Sequence, residues 1–227
     1  MAAAGSGVVL RPDLKKIEKS YNRVINNWQQ IDDELDERGV GRKDAPFDGT
    51  IRDNMLCAWE YMDHLLKKEV QLLQKNCGHH LLEINHCVHY GEDYVLRAEY
   101  RKAMDATAQK FSHLIGPIRN YHAKHMRNAS PVMKVGAEVF IAIVGQPQLF
   151  IEGNHRSGSV IASWINMYNN KPPFVLSVEN AVAYFAPAQE IKKFNNKSLW
   201  RSFTELPKYK RAFRDFWEGN CDMAYIR

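Results

Sequence analysis

From Gln148 to Ser159 the chain reads Gln-Leu-Phe-Ile-Glu-Gly-Asn-His-Arg-Ser-Gly-Ser. Glu152, Gly153, Asn154, His155 and Arg156 thus set a carboxylate, a Gly-Asn turn, an imidazole and a guanidinium side by side. A helical run follows through Val160, Ile161, Trp164, Ile165 and Met167. A turn that opens a helix presents backbone N–H groups unused by the helix and the positive end of its dipole, so it attracts anions. Arg156 can clamp a phosphate through its planar fork. Glu152 can hold Mg²⁺, which takes one or two carboxylates and completes its shell with substrate phosphates and water. The chemistry this pattern can support is metal-assisted polyphosphate binding.

In order and spacing the same residues resemble the signature of the Fic/Doc (Fido) family, His-Pro-Phe-x-Asp/Glu-Gly-Asn-Gly-Arg-x-x-Arg. Phe150, Glu152, Gly153, Asn154 and Arg156 match it. Gln148 stands at the family's catalytic His, His155 at its second Gly and Ser159 at its last Arg. The flanks are similar too: an apolar run, 137–144, before the loop and Trp-Ile-Asn-Met-Tyr-Asn-Asn-Lys-Pro-Pro, 164–173, after it. The resemblance is close over 132–178 and looser over 50–220. It implies an all-α, Fido-like helical bundle with a central buried helix and a phosphate-binding loop between two core helices. It implies Mg²⁺ with ATP or another nucleotide as ligand. Phe150, Gly153, Asn154, Arg156, Ser157 and Gly158 would then be the nucleotide-binding positions, Glu152 the metal ligand, and Gln148 and His155 the catalytic positions. Family members move AMP from ATP onto a protein hydroxyl, so a protein target is also implied.

The departures bear on activity. A general base must titrate near the working pH, and the Gln148 amide does not; it can only position a hydroxyl or water by hydrogen bonds. A side chain at 155 crowds a backbone that glycine would let approach phosphate. His155 reads equally as a phosphate ligand, a displaced base or a helix-cap residue with no role. Ser159 removes a second phosphate-binding Arg. Three function classes follow: a catalytically impaired or pseudoenzyme relative of protein AMP-transferases that binds nucleotide, an active nucleotidyl- or phosphate-group transferase with a non-standard base, and a plain helical bundle in which Glu152 merely favours a helix N-terminus.

Three other groups compete. Cys77, His79, His80, His86, Cys87 and His89 have metal-ligand chemistry, but their order matches no zinc-finger spacing and an apolar stripe runs between them. Glu218-Gly219 resembles the end of the family's inhibitory helix, yet Arg214 stands where that pattern needs Ser or Thr. Lys208, Lys210, Arg211 and Arg214 interleave with Tyr209, Phe213 and Phe216, as on an ordinary amphipathic helix.

The elements that must position these residues read as helices. The 227 residues, 45% apolar, suit one domain with a real core. We expect a disordered tail over 1–11 and a single helical domain over 12–227, with an N-terminal helical arm over 12–49 and a core over 50–220. The periodicity predicts helices at 12–38, from Thr50 to Asn76, at 79–89, from Asp93 to Leu114, at 117–126, after a Ser130-Pro131 start to Val144, after the loop to Asn169-Asn170, from Ser177 to Phe194, and from Pro207 to Trp217 with Gly219 as its C-cap. No strand long enough for a sheet is visible, and the family's β-hairpin flap has no clear counterpart. No run of 18 or more apolar residues suggests a membrane span. The N-terminus lacks a secretory signal, and four scattered cysteines suit reduced thiols, so a cytoplasmic protein (or one delivered from the cytoplasm) is expected. A net charge of +5 with interleaved signs gives no ground for a nucleic-acid partner.

Overall fold

A computed structural model describes residues 9–40, 46–193 and 205–227. Among them the chain is all-α. The helices are α1 (Leu14–Asn26), α2 (Trp28–Glu37), α3 (Gly49–Lys67), α4 (Gly78–Tyr90), α5 (Tyr94–Glu99), α6 (Arg101–Arg127), α7 (Val132–Val144), α8 (Asn154–Tyr168), α9 (Ala181–Lys193) and α10 (Leu206–Asn220), with 3₁₀ turns at Lys75–Cys77 and Met223–Tyr225. Extended pairing among these residues is limited to two antiparallel bridges, Pro12 with Ile226 and Phe174 with Cys221. Among the described residues no helix is long and apolar enough to cross a membrane.

The pair α7–α8 forms the centre. α7 is apolar nearly all round, and from Asn154 to Met167 α8 is buried at almost every position, as a helix surrounded by others must be. Gly136 lets the two approach closely: a Cβ there would lie 2.7 Å from Asn166 Oδ1 and 3.2 Å from the Ala162 carbonyl. α3 and α4 pack on α8, α10 and α9 on α7, and α6 along α7; α1 lies on α3 and α2 on α9. Ile17, Tyr21, Val24 and Trp28, from the segment expected to be an arm, belong to the same buried cluster as Phe140 and Trp164. Residues 1–8 of the expected tail lie outside the described residues. Past them, the Leu10 N–H donates to the Met167 carbonyl at 3.0 Å and Arg11 pairs with Asp63.

Several helix limits differ from the pattern. The 12–38 helix is two, broken at Asn27, whose amide donates to the Arg23 carbonyl at 2.8 Å and competes with the helix ladder. Pro12 precedes the cap rather than opening the helix: Asp13 accepts from the Lys16 N–H at 3.2 Å. Asp48, not Thr50, caps α3. That helix ends at Lys67, nine residues early, through a Schellman closure. Glu69 adopts φ 50°, its N–H reaches the Leu66 carbonyl and the Val70 N–H reaches the Leu65 carbonyl, each at 3.0 Å. α6 runs straight through Gly116-Pro117, where a stop was expected. Pro117 frees the His113 carbonyl, but 113, 116 and 117 all face solvent, so water satisfies it. Ser130 does not cap α7; its hydroxyl meets His125 Nδ1 at 3.1 Å and Pro131 takes the cap position. Gly219 lies inside α10, whose cap is Cys221. Phe194 lies outside the described residues.

Candidate ligand-binding site

The 148–159 segment joins α7 to α8 at the centre of the bundle. Phe150 is fully buried and stacks on Phe111 of α6 at 5.8 Å between centroids. Asn154 closes the loop on it from both sides: the Phe150 N–H donates to Asn154 Oδ1 at 2.8 Å, and Asn154 Nδ2 donates to the Phe150 carbonyl at 3.1 Å. Lys110 of α6 donates to that carbonyl at 2.8 Å, and burial lowers the pKa of its amine. Gly153, at φ +69°, is the N-cap of α8. Any Cβ there would collide with His89 Nε2, so both the backbone angle and the space require glycine.

Helix α4 holds the other side. Asn85 Nδ2 donates to the Glu152 carbonyl and to Ser157 Oγ, each at 3.0 Å. Arg156 Nη1 donates to the Val88 carbonyl at 2.6 Å. His89 lies against Gly153, and its pKa is lowered, first by burial and then by the Arg156 cation, against a smaller pull from Glu152. It therefore packs there as a neutral imidazole.

The loop lines a cavity of about 540 Å³. One wall is polar: Gln148, Glu152, Gly153, Asn154, His155, Arg156 and Ser159, joined by Lys192 of α9. The other is aromatic and aliphatic: Tyr21, Phe47, Ile51, Met55, Phe174, Leu176, Tyr184 and Phe185. The two positions where catalysis was expected meet here. Gln148 is half-buried and turns its amide nitrogen back toward the Val144 carbonyl at 3.4 Å. The His155 ring lies 6.4 Å edge-on from Tyr184, whose hydroxyl donates to the His155 carbonyl at 3.2 Å.

The expected binding positions divide. Glu152, Gly153, Asn154 and Arg156 line the cavity, whereas Phe150, Ser157 and Gly158 lie behind its wall. Gly158 instead makes room for Phe140 of α7, 3.1 Å from where a Cβ would be. Asn154 spends its side chain on loop closure, leaving its place at the start of α8 as what it offers a ligand. Ser159 Oγ is turned onto its own helix, donating to the Arg156 carbonyl at 2.8 Å. Asn85, Lys110, Tyr184 and Lys192 were missed in the sequence, and His89 was noted there only as a possible metal ligand. A lone Asn in the apolar stripe of α4 was the one signal available; the two lysines look like any surface cation.

Among the described residues no group of three or more His, Cys, Asp or Glu side chains is placed to hold a metal ion. The His/Cys run of 77–89 is dispersed accordingly: His80 Nδ1 meets the Tyr61 hydroxyl at 2.6 Å, His86 faces Glu83, and His89 packs on the loop. Glu152 is exposed and, among the described residues, is the one carboxylate of the cavity wall. A single carboxylate suits Mg²⁺ carried in on phosphate oxygens and does not suit a resident ion. Glu218 does not line the cavity; on α10 it is Phe213 and Trp217 that are buried, while Arg214 pairs with Glu138. No family model, no curated protein and no solved structure matches this chain.

Proposed function

We propose that this is a Fido-type binding module that holds a phosphate-bearing ligand, a nucleotide with Mg²⁺, and lacks the usual general base. One observation carries the reading: the start of α8, Arg156 and Lys192 converge on a single cavity whose lining is otherwise largely aromatic and aliphatic. The helix start and the two cations suit phosphates. The aromatic wall suits a flat ring. Glu152 would hold the metal, which when bound would neutralise phosphate charge. Gln148 would orient the ligand or a water by its amide without taking a proton. Residues 155 and 159 narrow the polar wall and supply no second guanidinium, though Lys192 supplies a second positive charge.

Calorimetry with Mg²⁺-ATP, and with Mg²⁺ salts of GTP and ADP, tests this. Lys192→Ala is the cleanest variant, since Arg156 also holds the Val88 carbonyl. Loss of a charged hydrogen bond at either position should weaken binding by about 1.5–3 kcal/mol. No heat from any of these ligands would sink the reading. A second reading, an active transferase, draws on His155 in the same wall. Transfer of labelled AMP by the wild-type protein, lost in His155→Ala, would establish it instead.

A further inference from the structure

A second cavity, about 270 Å³, opens between α3 and α4, on the face away from the loop contacts of Asn85 and His89. Cys57, Glu83, Cys87 and Arg97 are among its lining residues. The helices run antiparallel, with Asn54 Nδ2 bonded to the His89 carbonyl at 2.9 Å at one end and Tyr61 meeting His80 at the other. That register sets Cys57 opposite Cys87 in the lining of the cavity, where the Cys87 thiol donates to Glu83 Oε1 at 3.7 Å. Both thiols are free; Cys57 is half-exposed and Cys87 is buried. Arg97 brings a cation to the pair, its Nη2 lying 3.6 Å from Cys87 Sγ, and its Nη1 bonds Glu83 at 2.7 Å.

We propose that Cys57 and Cys87 form a peroxide-reactive dithiol, a modification site at which a small hydroperoxide converts the pair into a disulfide between α3 and α4. The cavity gives a small oxidant access to Cys57. The thiolate is the nucleophile in such chemistry. The Cys57 pKa is lowered, first by the neighbouring Cys87 thiol and, against burial and the Glu92 carboxylate, by the Arg97 cation, whereas Cys87 is pushed up by Cys57 and by burial. Of the two sulfurs, the accessible one is therefore the more readily deprotonated. Cys57 sulfur attacks one peroxide oxygen and the O–O bond breaks. The departing oxygen takes up a proton and leaves as water, and Cys57 is left as a sulfenic acid. Cys87 then attacks the Cys57 sulfur. The S–S bond forms, the S–O bond breaks, and the Cys87 proton leaves with the hydroxide as a second water. Two thiols have given two electrons to one peroxide.

The test is hydrogen peroxide treatment of the full chain, followed by thiol counting in denaturant and peptide mapping without reductant. The expected result is loss of two of the four thiols, a Cys57–Cys87 linked peptide, and full recovery with dithiothreitol. Cys87→Ser should stop at a sulfenic acid on Cys57 that dimedone traps, and Cys57→Ser should leave Cys87 unoxidised under the same treatment. Circular dichroism of both variants checks that they remain folded. Oxidation of Cys77 or Cys221 as fast as Cys57, links only between chains, or four intact thiols while a peroxide-reactive control is consumed would each overturn the proposal.

Discussion

The two walls of the central cavity are built by different means. The polar wall is fixed by directed hydrogen bonds: Asn154 and Lys110 on Phe150, Asn85 on Glu152 and Ser157, Arg156 on Val88. The aromatic wall is fixed by ring packing: Phe47 against Tyr21 at 5.5 Å and Trp28 at 6.2 Å, Tyr184 against Phe174 at 5.1 Å, and Phe185 against Trp28 at 6.1 Å. Hydrogen bonds lose their worth within a few tenths of an ångström or a modest change of angle. Ring contacts tolerate several offset and edge geometries. One wall therefore sets where charge sits, and the other can adapt to the shape of what enters. Damage to the polar wall should cost more stability, and damage to the aromatic wall should mainly retune binding.

The largest effect should come from Gly153→Ala. The left-handed backbone costs a non-glycine residue about 1–2 kcal/mol. The Cβ clash with His89 adds an overpacking cost of about 1–3 kcal/mol. A loss of about 2–5 kcal/mol in urea unfolding is expected, with ligand binding abolished. A loss below about 1 kcal/mol would mean that α4 and the loop slide apart easily and that the polar wall is not rigid.

How the chain announces this architecture depends on which residue closes each helix. Four helix ends use the same Schellman hydrogen bonds, with positive φ at Gly39, Glu69, Ala129 and Asn170. Gly39 and Asn170 favour that conformation, and both ends were legible. Glu69 does not, and the end it makes was read as continuing to Asn76. Conversely, Gly116-Pro117 and Gly219 carry stop signals that α6 and α10 override, because those positions face solvent and the opposite faces are anchored by Phe111, Ile115, Ile118, Phe213 and Trp217. The loop itself was legible since its chemistry lies in consecutive residues. Its supports were not: Asn85, Lys110 and Lys192 are brought in from α4, α6 and α9 by tertiary packing, and apart from the polar break that Asn85 makes in an apolar stripe nothing local marks them.

A paired substitution sharpens the contrast between walls. Asn154→Ala removes both bonds to Phe150. The Phe150 carbonyl keeps Lys110, but its buried N–H loses its acceptor, so about 2–3 kcal/mol should go. Tyr184→Phe on the other wall loses the hydroxyl bond to the His155 carbonyl, worth about 1 kcal/mol, while the ring stays in place. Equal losses in thermal unfolding would contradict the division of labour.

The smallest effect should come from acid, and it too separates the walls. The aromatic wall has no group that titrates between neutral and mildly acidic pH. The polar wall includes His89, faced by Arg156, Glu152 and His86. Its folded pKa lies below the unfolded value of about 6.5, because burial and the Arg156 cation both oppose protonation. The unfolded chain then binds more protons than the folded one, so stability is fully present above that value and falls as the pH drops below it. His122 on α6, lowered to about 4 by burial, and His80 contribute loss of the same sign. The midpoint of thermal unfolding should therefore decline by a few degrees between about pH 7 and pH 5. His89→Gln, which cannot charge, should lessen that decline and should leave the protection factors of the amides at the start of α8, exchange rates taken relative to the intrinsic rate at each pH, independent of pH. If those protection factors still fall on acidification in His89→Gln, then His89 does not couple the loop to α4, and the hydrogen bonds of Asn85 and Arg156 hold the polar wall without it.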